Sequence, residues 1–278
     1  MEKITYYHGG NMAELDLIKM RALKAGISIN YISKDEKISN ILEQLSKIFG
    51  DKIILKGGTA INRIYLQEIN VARFSEDIDL DFISSKPLAE KIKTIRKNVM
   101  LIKDFNVDKG RLLHRTLRFD CAYTNEIKHK DKIRIEFYLS HPKQLAVKKP
   151  EKVLIKSPFI DSASCLFNTY SLEDLISRKL ITLYNRGEGK DVYDLFYSLE
   201  MKYDKKKIER SLAVLLKFFH INLNILEFLK DLLKKIERLK ENSYYIGNST
   251  NHYIPKELRP EWSIFIGTLE QKIGKLKQ

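Results

Sequence analysis

The segment S-E-D-I-D-L-D-F-I at 75–83 restricts the fold more than any other stretch of the chain. Read as a strand, it puts Ile78, Leu80 and Phe82 on one face and Asp77, Asp79 and Asp81 on the other, because successive side chains alternate. A strand apolar on one side belongs to a sheet whose one face is packed. Asp77 and Asp79 stand about 7 Å apart on backbone rise alone. Two like charges at that range repel by about 2 kcal/mol at an effective dielectric of ~20. A divalent cation removes that cost, and carboxylates are its preferred ligands.

Just upstream, L-K-G-G-T-A-I-N-R-I-Y (55–65) joins a short apolar strand, 53–56, to a helix-like run, 59–69. Glycine lets backbone approach a phosphate closely, and a helix N-terminus offers free N–H groups with partial positive charge. Thr59 adds a hydroxyl at the same end. A phosphate cradle beside paired carboxylates is the arrangement that phosphoryl and nucleotidyl transfer require. Rival motifs fail on spacing. An EF-hand loop from Asp77 would need Gly and Glu where Phe82 and Leu88 stand, and neither a P-loop nor G-x-G-x-x-G occurs. Two cysteines exclude a disulfide scaffold and a Cys-based zinc site, and the six histidines show no metal-ligand spacing.

Periodicity predicts helices over 12–25 and 33–49, the second opened by a Ser33–Glu36 capping box and ended by Gly50. A further helix is expected over 87–104. Residues 111–124 and 132–140 alternate as an antiparallel pair, and the Pro- and Lys-rich stretch 141–158 reads as a surface loop. From Ser171 the pattern is helical: 171–185, 190–200, 205–218 and 222–241, then a linker holding Gly247 and Asn248, and a last helix near 260–275. The expected division is an α/β unit over 1–165 and a helical unit over 166–278.

In the helix that Ser171 and Asp174 would cap, Lys179 falls inside the apolar stripe of Leu172, Leu175, Ile176 and Leu183, with Arg186 on roughly the same side. A lysine there is costly unless it meets an anion or snorkels out. Asp191 and Asp194, three apart, share one face of the next helix.

The runs L-K-G-G-T-A-I-N-R-I-Y and R-F-S-E-D-I-D-L-D resemble the AbiEii/MenT group of nucleotidyltransferase toxins, within the DNA polymerase β-like nucleotidyltransferase superfamily. The resemblance implies a fold of α/β (α+β) class, with a polymerase-β-like core built on a small mixed sheet and a C-terminal helical bundle. It implies that Asp77 and Asp79 hold Mg²⁺ or Mn²⁺ and that Gly57, Gly58 and Thr59 cradle a nucleoside triphosphate. Arg73 and Ser75 match the family's R-F-S-x-D-x-D run beside the nucleotide. The spacing Lys179…Asp191…Asp194 is similar to the family's later motifs. It implies a triphosphate contact for Lys179 and a place in the active site for Asp191 or Asp194. Two-metal transfer calls for a third acid on a neighbouring strand; Glu136 is preferred and Asp120 stays open. The run Y-I-P-K-E-L-R-P-E-W (253–262) is also similar to the family, with no chemistry assigned.

The expected reaction is transfer of an NMP from an NTP to an acceptor hydroxyl, which the resemblance implies is a tRNA 3′ end. The resemblance also implies that the enzyme is the toxin of a toxin–antitoxin or abortive-infection system, with a cognate antitoxin. The alternatives are a non-catalytic nucleotide- or RNA-binding protein, and transfer to a protein or small-molecule hydroxyl. Fifty Lys and Arg against 36 Asp and Glu leave a net charge of +14, which suits a polyanionic partner. Eleven of those basic residues lie in 202–240 among helix-spaced apolar ones. With Lys143, Lys148, Lys149, Lys152 and Lys156 they could form a phosphate-tracking surface. No run reaches ~18 uncharged apolar residues and the N-terminus lacks an apolar leader, so a cytoplasmic location without a membrane is expected.

Overall fold

The computed structural model describes residues 10–139 and 148–277. The apolar face predicted for residues 78–82 is met by α2 (Ile29–Phe49), whose Ile38, Ile41, Leu42, Leu45 and Phe49 are buried. The strand itself is β2 (Asp77–Phe82). It lies in an eight-stranded mixed sheet of order β3-β5-β6-β2-β1-β8-β7, with β4 pairing onto β5. The strands are β1 (Ile53–Lys56), β3 (Asn106–Val107), β4 (Arg111–Leu113), β5 (Thr116–Thr124), β6 (Lys130–Tyr138), β7 (Glu151–Lys156) and β8 (Ser164–Thr169). β2 runs antiparallel to β1 and parallel to β6, so it sits centrally, where a half-apolar strand belongs.

α1 (Gly10–Ala25) precedes α2; α3 (Gly57–Ala60) follows β1 and continues as a π-helical turn, Ile61–Leu66; α4 is Leu88–Val99. The remaining helices are α5 (Leu172–Arg186), α6 (Gly189–Ser198), α7 (Lys205–Phe218), α8 (Ile225–Glu241), α9 (Ser243–Thr250) and α10 (Trp262–Lys275). Buried apolar residues fall into two clusters, one from Ile18 to Leu175 around the sheet and one from Leu172 to Leu276 among the helices.

Several expectations need correction. α2 begins at Ile29, capped by Ser28, whose hydroxyl accepts from Asn30 N at 3.3 Å. Ser33 is therefore inside the helix, hydrogen-bonded to Glu126 rather than to the helix end. The strand expected over 111–124 is a hairpin, because His114 takes a left-handed φ of 54° and turns β4 back onto β5. The stretch read as a loop carries β7, whose six residues all pair with β8. Its first part, with Pro142 and Lys143, lies outside the described residues. The linker at Gly247 is helix α9, in which Gly247 lets the Trp262 indole pack against the backbone. On α7 and α8 the apolar stripe is buried and Lys206, Arg210, Lys217, Lys230, Lys234, Arg238 and Lys240 are exposed. Among the described residues no helix is long and apolar enough to cross a membrane.

Candidate active site

Strand pairing brings the charged residues together. β1 sets Lys56 beside Asp79, and β6 sets Glu136 beside Asp79 and Arg134 beside Asp77. β5 adds Arg118 beside Glu136. Register partners present their side chains to the same face. Lys56, Asp79, Glu136 and Arg118 thus form a row across four strands on the face opposite α2.

The glycine turn closes one side of this row. Gly57 has φ 72°, and a Cβ there would collide with the Asp79 carboxylate. Both facts demand glycine, by conformation and by space. A Cβ at Gly58 would stand 2.9 Å from Arg73 Nη2 and 3.0 Å from Ser75 Oγ. Thr59 is fully buried; its hydroxyl donates to the Asp77 carbonyl and lies 3.0 Å from Ser75 Oγ. It braces the turn against β2 and does not line the cleft, as a phosphate ligand would.

The three strand aspartates differ in environment. Asp81 is fully buried, accepts from Lys56 Nζ at 2.5 Å and from the Tyr170 hydroxyl. Burial alone would raise its pKa, but Lys56 and then Arg178 outweigh that and hold it below the carboxylate range. Asp77 faces Arg134 at 3.6 Å, and burial raises its pKa. Asp79 meets no hydrogen-bond donor and no ion-pair partner among the described residues. Burial, with Glu136 and Asp77 close by, pushes it up to about 6 against the pull of Lys56.

α5 and α6 supply the other wall. Lys179 is buried and donates to Asp191 Oδ1 at 2.8 Å, with Asp194 Oδ2 also at 2.8 Å. The anion its position in the stripe called for is thus a pair of carboxylates on the next helix. These outweigh burial and raise the Lys179 pKa. Asp191 also accepts from Arg186 Nε at 2.8 Å and Nη2 at 3.0 Å. Asp194 accepts a fork from Arg73, Nε at 2.9 Å and Nη2 at 2.7 Å, and Asn62 Nδ2 at 3.0 Å. Both aspartates are fully enclosed. They touch the cations of the cleft without lining it.

Two adjoining clefts share Gly58, Asp79, Lys179 and Arg186 as their common wall. One, of about 380 Å³, opens between the glycine turn, α5 and Phe219. The other, of about 250 Å³, holds Asp77, Glu136, Arg73 and Ser75. Glu136 is held by Arg118, with Nε at 2.8 Å and Nη2 at 2.7 Å from Oε1. Asp120 lines neither cleft; it pairs outward with Lys132 at 2.7 Å and Arg111 at 3.2 Å. Lys56, Arg134, Lys190 and Tyr253 belong to the clefts although none of them is assigned a role on sequence grounds. Lys56 and Arg134 were visible as polar-face residues, one of them beside Gly57. Tyr253, in the run without assigned chemistry, donates to Glu76 Oε1 at 2.9 Å under the Lys190 ammonium.

The donor set fits a magnesium-type ion in one particular way. Among the described residues no cluster of three or more acidic, His or Cys side chains is close enough to hold a metal unaided. A hard cation held by one or two carboxylates completes its shell with phosphate oxygens and water. The unpartnered Asp79, next to Asp77 and against the phosphate-type turn, is suited to that role.

Comparison with known proteins bears on the fold and the family. No curated protein matches the sequence. Among solved structures, MenT4, a nucleotidyltransferase toxin of Mycobacterium tuberculosis, superposes with a TM-score of 0.64 at 16% identity, over 95% of this chain and 89% of its own. JHP933 of Helicobacter pylori superposes at 0.54 with 18% identity, over 90% of this chain and 95% of its own. At such identities the likeness is one of fold. The model of the family described as nucleotidyl transferase AbiEii toxin, type IV toxin–antitoxin system, matches residues 40–272, most of the chain. On that match the chain belongs to the AbiEii family of nucleotidyltransferase toxins.

Proposed function

We propose that the chain is a Mg²⁺-dependent enzyme that transfers an NMP from an NTP to an acceptor hydroxyl, the 3′ end of a tRNA. The observation that carries this is the unpartnered Asp79 carboxylate lying against the Gly57–Gly58 turn. Asp77 and Asp79 hold the metal, which when bound neutralises phosphate charge and orients the reacting groups. Gly57, Gly58, Lys56 and Lys179 bind the triphosphate. An ammonium has three donors; Asp191 and Asp194 take two of those of Lys179, leaving one for a phosphate oxygen. Asp194 positions Arg73 and Lys179 together. Arg118 engages only Oε1 of Glu136, leaving Oε2 to receive the acceptor proton. The acceptor oxygen then bonds to the α-phosphorus, the α–β anhydride bond breaks, and pyrophosphate leaves.

A net charge of +14 supports an RNA acceptor, and membership of a toxin–antitoxin family supports a cognate antitoxin as partner. The test is incubation with each labelled NTP, total tRNA and Mg²⁺. Label should enter tRNA with release of pyrophosphate, and EDTA should stop it. Asp79→Ala should lower transfer by about a hundred- to a thousandfold, the range for removing a transition-state electrostatic group. Label appearing only in added protein or aminoglycoside would overturn the acceptor, and full activity of Asp79→Ala would overturn the metal site.

A further inference from the structure

The two clefts differ in lining chemistry, and that difference assigns the substrates. We propose that the larger cleft takes the nucleoside of the NTP, read by Asn185 and Thr182 against Phe219, while the smaller takes the end of the acceptor strand at Arg134, Lys190 and Tyr253. This rests on the nucleotidyl transfer proposed for the same site.

Of the two, the larger cleft has aliphatic walls, formed by Ile61, Leu175 and Ile181 with the Phe219 ring beside them, whereas the smaller has Phe74 as its one apolar lining residue among those described. A flat nucleobase needs such walls, with a few polar groups for its edge. Phe219 is 43% exposed at the rim of this cleft, so part of its ring is open to a ligand. Asn185 is exposed at the same cleft, and an amide carries both donor and acceptor. The Thr182 hydroxyl donates to the Arg178 carbonyl at 2.8 Å, so its oxygen still accepts. The glycine turn and Lys56 line this cleft too, which puts the triphosphate cradle on the nucleoside's side.

The smaller cleft lacks an aliphatic wall and is rich in cations. Arg134 Nε is buried there with no hydrogen-bond partner, although a buried guanidinium nitrogen normally has one. The side chain as a whole is 39% exposed, so a modest turn of the guanidinium would offer that nitrogen to a phosphate oxygen. Tyr253 is the cleft's one phenol ring; it stacks with Tyr31 (5.6 Å between centroids) and Phe74 (6.4 Å) behind it. A ring held from behind in this way is a platform for a terminal base once the Lys190 ammonium, 4.8 Å from its centroid, moves off it to the strand's phosphates. Glu136 and Asp77 line this cleft and not the other, so the group that takes the hydroxyl's proton stands where the acceptor would enter.

Two equilibrium measurements test the division without turnover: the Kd of a non-hydrolysable NTP analogue with Mg²⁺, and the Kd of a short single-stranded RNA. Phe219→Ala and Asn185→Ala should weaken the analogue about tenfold or change its ranking among the four bases, and leave the RNA Kd within about twofold. Arg134→Ala and Tyr253→Ala should do the reverse, with Tyr253→Phe close to the parent because the ring stays. Stacking losses of this size are typical of alanine substitution. Reversed effects, or all four variants affecting both ligands equally, would overturn the division while leaving transfer by the parent chain intact. The expected pattern in a chain that binds both ligands but transfers nothing would instead overturn the reaction and keep the division.

Discussion

The same aspartate side chain is used in opposite ways on the two walls of this site. On α6, Asp191 and Asp194 are sealed from water and saturated by Lys179, Arg186, Arg73 and Asn62. On β2, Asp79 has only through-space cations and Asp77 has one loose partner. A charge already matched inside the protein contributes to holding helices in place. One left unmatched in a cleft is costly to the apo fold and awaits a ligand. Charge and burial alone do not distinguish the two; the count of donors around each carboxylate does.

The comparison breaks most sharply under paired substitutions. Asp79→Asn should abolish transfer while the thermal midpoint stays level or rises, because a poorly compensated charge is removed. Asp194→Ala should lower both, costing about 3–5 kcal/mol of stability, since it strands the buried Arg73 guanidinium and takes one of two carboxylates from Lys179. Thermal melts of the two variants against the parent read this directly. A stable Asp194→Ala chain would mean that the α6 carboxylates do not hold the wall.

Acid sharpens the same contrast. Lys179 first, against burial, holds Asp191 below the carboxylate range, and Arg73 does so for Asp194. A depressed folded pKa gives stability that is fully present above the unfolded value of about 4 and is lost as pH falls through the folded one. Unfolding monitored from pH 6 to 2 should therefore show the parent losing stability below about pH 4, and Asp191→Asn losing less over that window. Parallel curves would remove the linkage from these groups.

The smallest effect is expected at Asp120, whose cation partners are mostly exposed. Asp120→Asn should change stability by no more than ~1 kcal/mol and leave transfer unaltered, whereas Glu136→Gln should slow it. Equal losses at both positions would reopen the choice of third acid.

The parts legible in the sequence were those written in local periodicity. The glycine turn, the alternating aspartates and the lysine inside an apolar stripe each break a pattern within a few residues. The anion that Lys179 required was also foreseeable in kind, since Asp191 and Asp194 lie on the very next helix. Pairings across the chain were not legible. Arg73 meets Asp194 over 121 residues, and Arg118 meets Glu136 only because β5 and β6 pair in one register. The strand β7 was hidden because an edge strand carrying lysines has the composition of a loop. Tyr253 was hidden because its place in the cleft depends on a ring stack assembled from three distant segments.

The four residues common to both clefts carry one further consequence. Gly58, Asp79, Lys179 and Arg186 wall both clefts, so under the proposed division a change that improves the hold on either ligand disturbs the other. On that division, sequence change should be tolerated more readily at the outer walls than at the shared partition. Relatives that diverge in preferred base should differ around Asn185 and Phe219, and relatives that diverge in victim should differ around Arg134 and Tyr253, with the partition between them inherited unchanged.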